Sequence, residues 1–248
     1  EAGLRSFNRR MPEEINRVVA DHISSFLFCP TATAVDNLAN EGITDGVYQI
    51  GDVMYDCMLF YMKKVKTIER KVLEKLNIRP KSFCLGTMHR AENTDDSTRL
   101  TNISAALNEV ATKECPVILP LHPRTVGYVH RYGLKFSDNV EVVQPVSYLE
   151  MLVLEKNARI ILTDSGGVQK EAYWLSVPCV TLRDETEWVE TVELGWNILV
   201  GADKLRIVNA AQRGNRPRVS SAEAVYGNGD AARQICKVLQ EADFHPAQ

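Results

Sequence analysis

After Pro80 the chain settles into an alternation of short apolar runs and longer mixed segments. The runs are Phe83–Leu85, Val117–Leu121, Val140–Val143, Ile160–Leu162, Cys179–Leu182 and Ile198–Val200. Each is too short for a helix and continuously apolar, which is the pattern of a strand buried on both faces. Ser97–Ala111, Val126–Tyr132, Tyr148–Lys156, Val168–Leu175 and Trp188–Leu194 separate them and read as helices. Strands and helices in this order predict an α/β fold with a doubly wound parallel sheet. Right-handed crossovers then bring every strand's carboxyl end to one edge of the sheet, where ligands of such folds bind.

The first eighty residues are less regular. Pro12-Glu13-Glu14 marks a helix start, with proline in the first turn and carboxylates near the positive end of the dipole. Ile15, Val18, Val19 and Ile23 follow at helical spacing. Phe26–Cys29 reads as a strand closed by Pro30, and Thr31 caps a helix over Ala32–Asn40 that Gly42 ends. Val47–Ile50 reads as another strand. A long amphipathic helix from Val53 to Lys66 and a separate charged helical segment from Ile68 to Leu76 come next. Toward the end, residues 202–228 read as a short helix plus a loop containing Gly214, Pro217 and Gly227, and Asp230–Gln240 as a terminal helix. There is no internal repeat or low-complexity tract.

Polar residues collect at the predicted strand ends: Met88-His89-Arg90, His122-Pro123-Arg124, Thr163-Asp164-Ser165-Gly166-Gly167 and Arg183-Asp184-Glu185-Thr186-Glu187. Ser165-Gly166-Gly167 joins a strand to a helix, so free backbone N–H groups and the helix dipole suit a phosphate or diphosphate. Glu171, in the same helix, suits a ribose diol. By itself the turn reads first as an ordinary helix start capped by Ser165, since a short Gly-rich turn is a weak motif. His89 with Arg90 either stabilises charge on a leaving group or is a surface turn. Arg183 and Glu187 either hold phosphate and a hydroxyl or form a solvent-facing ion pair.

Composition narrows the picture. The 248 residues carry a net charge of −3, with 45% hydrophobic and 25% charged positions, which is a poor balance for general nucleic-acid binding. No apolar stretch has the length of a bilayer span. The six cysteines form no CxxC pair and no zinc pattern, which favours reduced thiols in a cytosolic protein with no metal.

In combination these segments resemble the non-hydrolysing UDP-N-acetylglucosamine 2-epimerases. The resemblance rests on Glu1-Ala-Gly-Leu-Arg-Ser6, Pro12-Glu-Glu-Ile-Asn-Arg17, Pro30-Thr31, Gly86-Thr-Met-His-Arg-Ala-Glu-Asn93 and Leu162–Ala172, continued by Pro178–Arg183, Thr186-Glu187 and Tyr226–Asp230. It runs the whole chain in order, and it implies the C-terminal two-thirds of such an enzyme. The implied architecture is two nucleotide-fold domains of glycosyltransferase-B type, the first incomplete, divided as 1–64 and a UDP-binding domain over 65–248. The implied reaction inverts C2 of UDP-N-acetylglucosamine through elimination and re-addition of UDP. By position, Glu1, Glu13 and His89 match catalytic residues; Ser165, Gly166 and Gly167 match the diphosphate turn. Glu171 matches the ribose carboxylate, and Arg90, His122 and Arg183 fall on the substrate side. The resemblance also implies a cytoplasmic homodimer that needs no cofactor and supplies precursors for cell-surface polysaccharides.

The chain departs from the pattern at several positions. Trp188 stands where many members have arginine, Lys170 where glutamate is usual, and Met151 where an aromatic residue often faces the uracil. Trp188-Val189 also occurs in relatives acting on other UDP-2-acetamido sugars, including diacetamido uronates. Epimerisation of such a sugar is therefore the second reading, and UDP-sugar binding without catalysis the third.

Overall fold

A computed structural model describes residues 1–213 and 225–242. Gly214, Pro217 and His245 lie outside the described residues. The chain divides into two units, Glu1–Phe60 with Glu223–Gln248, and Tyr61–Ala222.

In the first unit, α1 (Pro12–Ile23) starts on its proline, and Glu13 and Glu14 occupy its first turn. The parallel strands β1 (Leu27–Cys29) and β2 (Val47–Gln49) flank α2 (Ala32–Asn40), whose first turn is capped by Thr31 accepting the Ala34 N–H. An ionic knot, buried at Arg5 and Asp21, ties the leading segment to α1 and α2. Asp21 accepts the Gly3 N–H at 3.0 Å and Arg5 Nη1 at 2.7 Å, while Arg5 Nε and Nη2 reach Glu41 at 2.6 and 2.9 Å. Gly3 has a φ of +78°, and a Cβ there would collide with the Ala34 carbonyl, so the tight entry to this knot requires glycine.

The two helical segments expected across Val53–Leu76 are one helix, α3 (Val53–Lys75). No glycine or proline interrupts it, and the Thr67 hydroxyl donates back to the Lys64 carbonyl at 2.7 Å without breaking the turn.

The second unit holds β3 (Cys84–Thr87), α4 (Ala91–Thr94), α5 (Ser97–Val110), β4 (Val117–Pro120), α6 (Pro123–Arg131), β5 (Val140–Val143) and α7 (Tyr148–Asn157). It continues with β6 (Ile160–Thr163), α8 (Gly166–Trp174), β7 (Cys179–Thr181), α9 (Val189–Glu193), β8 (Asn197–Leu199) and α10 (Lys204–Arg213). All strands pair in parallel in the order β5-β4-β3-β6-β7-β8. This is the expected doubly wound α/β sheet, and the order reverses direction between β3 and β6, the topological switch point. On one face α5 and α10 bury Leu100, Ile103, Leu107, Ile207, Val208 and Ala211 against Leu119, Leu162 and Val180. Each large side chain in that layer contributes about 1.5–3 kcal/mol. The four-residue α4 was not anticipated, because so short an element carries no periodicity.

Asp56 accepts the N–H groups of Ala231 and Ala232 at the start of α11 (Ala231–Glu241), and Asp52 N–H donates to Tyr226 O. These bonds group α11 with the first unit, a division different from the expected 1–64 and 65–248. Cys29, Cys84 and Cys179 are buried, Cys57 and Cys236 exposed, and Cys115 between; all are free thiols. No helix among the described residues is long and apolar enough to cross a membrane.

Candidate functional site

At the switch point the last residues of β3 and β6 pair, Thr87 with Thr163, their hydroxyls 2.5 Å apart. Beyond them the two chains diverge and open a crevice. Asp164, with no solvent exposure, braces it from below. Its carboxylate accepts the His89 N–H, the Arg90 N–H and Asn93 Nδ2, each at 3.1 Å, and lies 3.3 Å from His89 Nδ1. Asn93 also donates to the Leu182 carbonyl at 3.0 Å. The loops after β3, β6 and β7 are thus fixed to one another, and the His89 ring, half exposed, stands at the mouth.

Ser165 caps α8, accepting the Val168 N–H at 3.4 Å, and its own N–H donates to Thr163 Oγ1 at 2.9 Å. Gly166 opens the helix, and a Cβ there would come within 2.8 Å of Glu187 Oε1 and 3.0 Å of Trp188 Nε1. Glycine therefore lets α8 start close against that loop, with first-turn N–H groups at the crevice where an anion is favoured.

A cavity of about 440 Å³ occupies the crevice, with His89, His122, Arg124, Met151, Ser165 and Val168 in its wall. His122 caps α6: its Nδ1 accepts the Arg124 N–H at 3.2 Å, so a neutral ring carries its proton on Nε2. Met151 and Val146 supply an apolar side suited to a planar base. His89, His122 and Ser165 thus meet in one cavity, as the strand-end clustering anticipates.

Glu171 lies deeper in α8 and is 3% exposed; it is not in the cavity wall. Burial pushes its carboxyl above the usual range, against hydrogen bonding from Tyr148 and Glu155 and the nearby charge of Lys170. Arg183 and Glu187 are also buried, with Nη2 to Oε2 at 3.0 Å, so of the two alternatives the solvent-facing ion pair is ruled out. Burial works to raise the Glu187 carboxyl, but Arg183 beside it holds it below the usual carboxylate range. Lys170 and Trp188, two of the positions that depart from the family pattern, are in contact and buried.

In the first unit Glu1 and Glu13 line a second cavity of about 450 Å³ together with Asn16 and Arg17. Glu14 plays a different part: buried, it accepts the Ser6 and Phe7 N–H groups at 2.9 Å and pairs with Arg17 at 3.1 Å. Adjacent glutamates thus separate into one that closes a loop and one that faces a cavity.

Sequence reasoning passes over Asp164 and Glu155. Asp164 sits inside the turn that ends β6, and a carboxylate one residue before a capping serine is a signal for a loop brace. Glu155 looks like one more charge on a helix surface.

The family model of UDP-N-acetylglucosamine 2-epimerase matches residues 1–240. A UDP-N-acetylglucosamine 2-epimerase homolog of Methanococcus maripaludis is 52% identical, over 97% of this chain and 67% of its own length. UDP-2,3-diacetamido-2,3-dideoxy-D-glucuronate 2-epimerase of Pseudomonas aeruginosa is 48% identical, over 96% of this chain and 66% of its own. The crystal structure of Methanocaldococcus jannaschii UDP-GlcNAc 2-epimerase, in complex with UDP-GlcNAc and UDP, superposes with a TM-score of 0.89 at 44% identity. That match covers 98% of this chain and 68% of the other. The chain spans about two thirds of the length of the relatives it matches.

Proposed function

The chain belongs to the UDP-N-acetylglucosamine 2-epimerase family, and from that premise we propose that it binds a UDP-2-acetamido sugar for inversion at C2, with UDP-N-acetylglucosamine as the substrate. The observation that carries this reading is the α8 N-terminus, Ser165-Gly166-Gly167, set at the switch point beside a cavity walled by His89 and His122. A diphosphate there meets backbone donors and the helix dipole, the base fits against Met151 and Val146, and Glu171 is assigned the ribose hydroxyls. Arg90 and Arg183 add positive charge on the diphosphate side.

The C2 proton of the sugar is weakly acidic, so its removal is coupled to departure of UDP. A carboxylate takes the C2 proton, the C1–O bond breaks with its electrons leaving on UDP, and a C1–C2 double bond forms. UDP then adds back at C1 while a proton is delivered to C2 on the opposite face. Glu1 and Glu13 are the residues assigned to these proton transfers. His89, at the mouth of the diphosphate site, is assigned to stabilising the departing UDP. The family context favours a cytoplasmic homodimer serving polysaccharide precursor synthesis.

A second reading has a specific observation behind it. The 48% identical relative is named for a diacetamido glucuronate, and Trp188-Val189 departs from the pattern of the acetylglucosamine enzymes. In that reading the reaction is the same and the sugar differs. In the third reading the chain binds UDP-sugar without turnover.

The test is incubation of the chain with each UDP-sugar in D2O. Deuterium at C2 of one sugar identifies the substrate. Accumulation of free UDP and sugar would replace epimerisation with hydrolysis. UDP binding without exchange would assign the binding-only reading, and failure to bind UDP would refute all three.

A further inference from the structure

Glu155 lies in the last turn of α7 and has no solvent exposure, and Leu152, Val153 and Leu154 before it are buried as well. Neither Glu155 oxygen meets a hydrogen-bond donor, and Oε1 of Glu171 meets none either. The two side chains lie within hydrogen-bonding reach of each other. Two ionised carboxylates offer one another only acceptors, and two like charges in a dry interior are strongly disfavoured. One proton on the pair resolves both, because a neutral carboxyl gains an O–H donor.

The surroundings decide which residue carries the proton. Glu171 has the Tyr148 side chain to hydrogen-bond its carboxylate and the charge of Lys170 close by. For Glu155, burial first and then the Glu171 charge push the carboxyl well above the usual range. From β7 it faces the Cys179 thiol, itself pushed up to about 12 by burial. Glu171 on α8 and Cys179 on β7 thus face Glu155, whereas Tyr148 and Lys170 act on Glu171, which places the proton of the pair on Glu155.

We propose that Glu155 is a positioning residue, a neutral carboxylic acid whose O–H donates to Glu171 and holds that carboxylate ionised and oriented for the two ribose hydroxyls of a uridine nucleotide. This rests on the reading of Glu171 as the ribose acceptor. As pH rises, Glu155 loses its proton, the donor disappears and a second negative charge faces Glu171. Affinity for the ribose therefore falls on the alkaline side.

The experiment is calorimetric titration of the chain with UDP and with 2′-deoxy-UDP from neutral to alkaline pH. Glu155→Gln keeps a donor and cannot ionise; it should bind UDP within about twofold of the parent at neutral pH and lose the alkaline decline. Glu155→Leu removes the donor and should weaken UDP about tenfold, as expected for a lost hydrogen bond to a charged group, with far less effect on 2′-deoxy-UDP. An alkaline decline that survives in Glu155→Gln overturns the proposal, and so does a folded Glu155→Leu that loses both ligands equally or neither. Glu171→Gln separates the two levels. If it leaves the preference for UDP over 2′-deoxy-UDP intact, the ribose reading itself fails. If it abolishes that preference while Glu155→Leu retains it, only the role of Glu155 falls.

Discussion

Lys170 Nζ stands 3.8 Å above the centroid of the Trp188 ring, and both side chains are buried, 1% and 2% exposed. Trp174 lies on the same cation at 5.6 Å. Where the family resemblance leads one to expect glutamate and arginine, this chain has a cation on an aromatic face. Two departures that look independent along the sequence are thus in contact. Lys170→Glu and Trp188→Arg should each destabilise the fold, and the double variant should recover part of the loss. Urea denaturation of the four proteins is expected to give a coupling of about 1–2 kcal/mol. Strict additivity would rule the coupling out.

Asp164 should be the most sensitive position in the crevice. Asp164→Ala strands two backbone N–H groups and one of the two Asn93 amide hydrogens, for a loss of about 3 kcal/mol in unfolding free energy. UDP affinity should fall with it, because the loops after β3 and β6 lose their common brace. An Asp164→Ala variant as stable as the parent would show that the brace is dispensable.

Two helical glycines should respond in opposite directions. Gly166→Ala drives a methyl against Glu187 and Trp188 and should cost about 1–3 kcal/mol together with UDP affinity. Gly127 sits within α6, where an added methyl would meet nothing within 4 Å, so Gly127→Ala should gain about 0.5–1 kcal/mol and leave UDP binding unchanged. Thermal melts with and without UDP compare the two directly.

The first unit should show an acid-sensitive contact. Hydrogen bonds from Arg5 hold the Glu41 carboxyl below its usual range. A depressed folded pKa adds stability that is fully present above the unfolded glutamate value, about 4.3, and is lost as pH falls through the folded value. Glu41→Gln should therefore melt below the parent at neutral pH, with the gap closing in acid. A gap of constant size across that range would place the effect elsewhere.

The Glu155–Glu171 pair should act in the opposite sense. Its carboxyls are raised in the folded state, so their contribution is fully present below the unfolded glutamate pKa and is lost as pH rises toward the folded one. Glu155→Gln should flatten that part of the stability profile, as followed by melts from acid to neutral pH. A profile of unchanged slope would show that Glu155 does not hold the proton.

The sheet was legible because its strands are buried on both faces: Cys84–Thr87 and Ile160–Thr163 are buried at every position, which leaves a continuous apolar signature. The Ser165 turn was legible for the same reason, since it ends one of those runs. What stayed hidden were side chains whose partners come from distant parts of the chain. Glu13 and Glu14 are equivalent as letters, and only the Ser6 and Phe7 amides distinguish them. Glu155 and Lys170 carry charges that a surface helix would place outward, yet most of α8 and the C-terminal half of α7 are buried. Periodicity reports which face is apolar; it is blind to a charge neutralised by a proton or by an aromatic ring.

Every strand of the six-stranded sheet comes from one unbroken stretch of chain, within Tyr61–Ala222. The crevice at the switch point can consequently be inherited as a block. Substitutions at the strand-end loops can therefore accumulate without shifting the register of any strand beneath them.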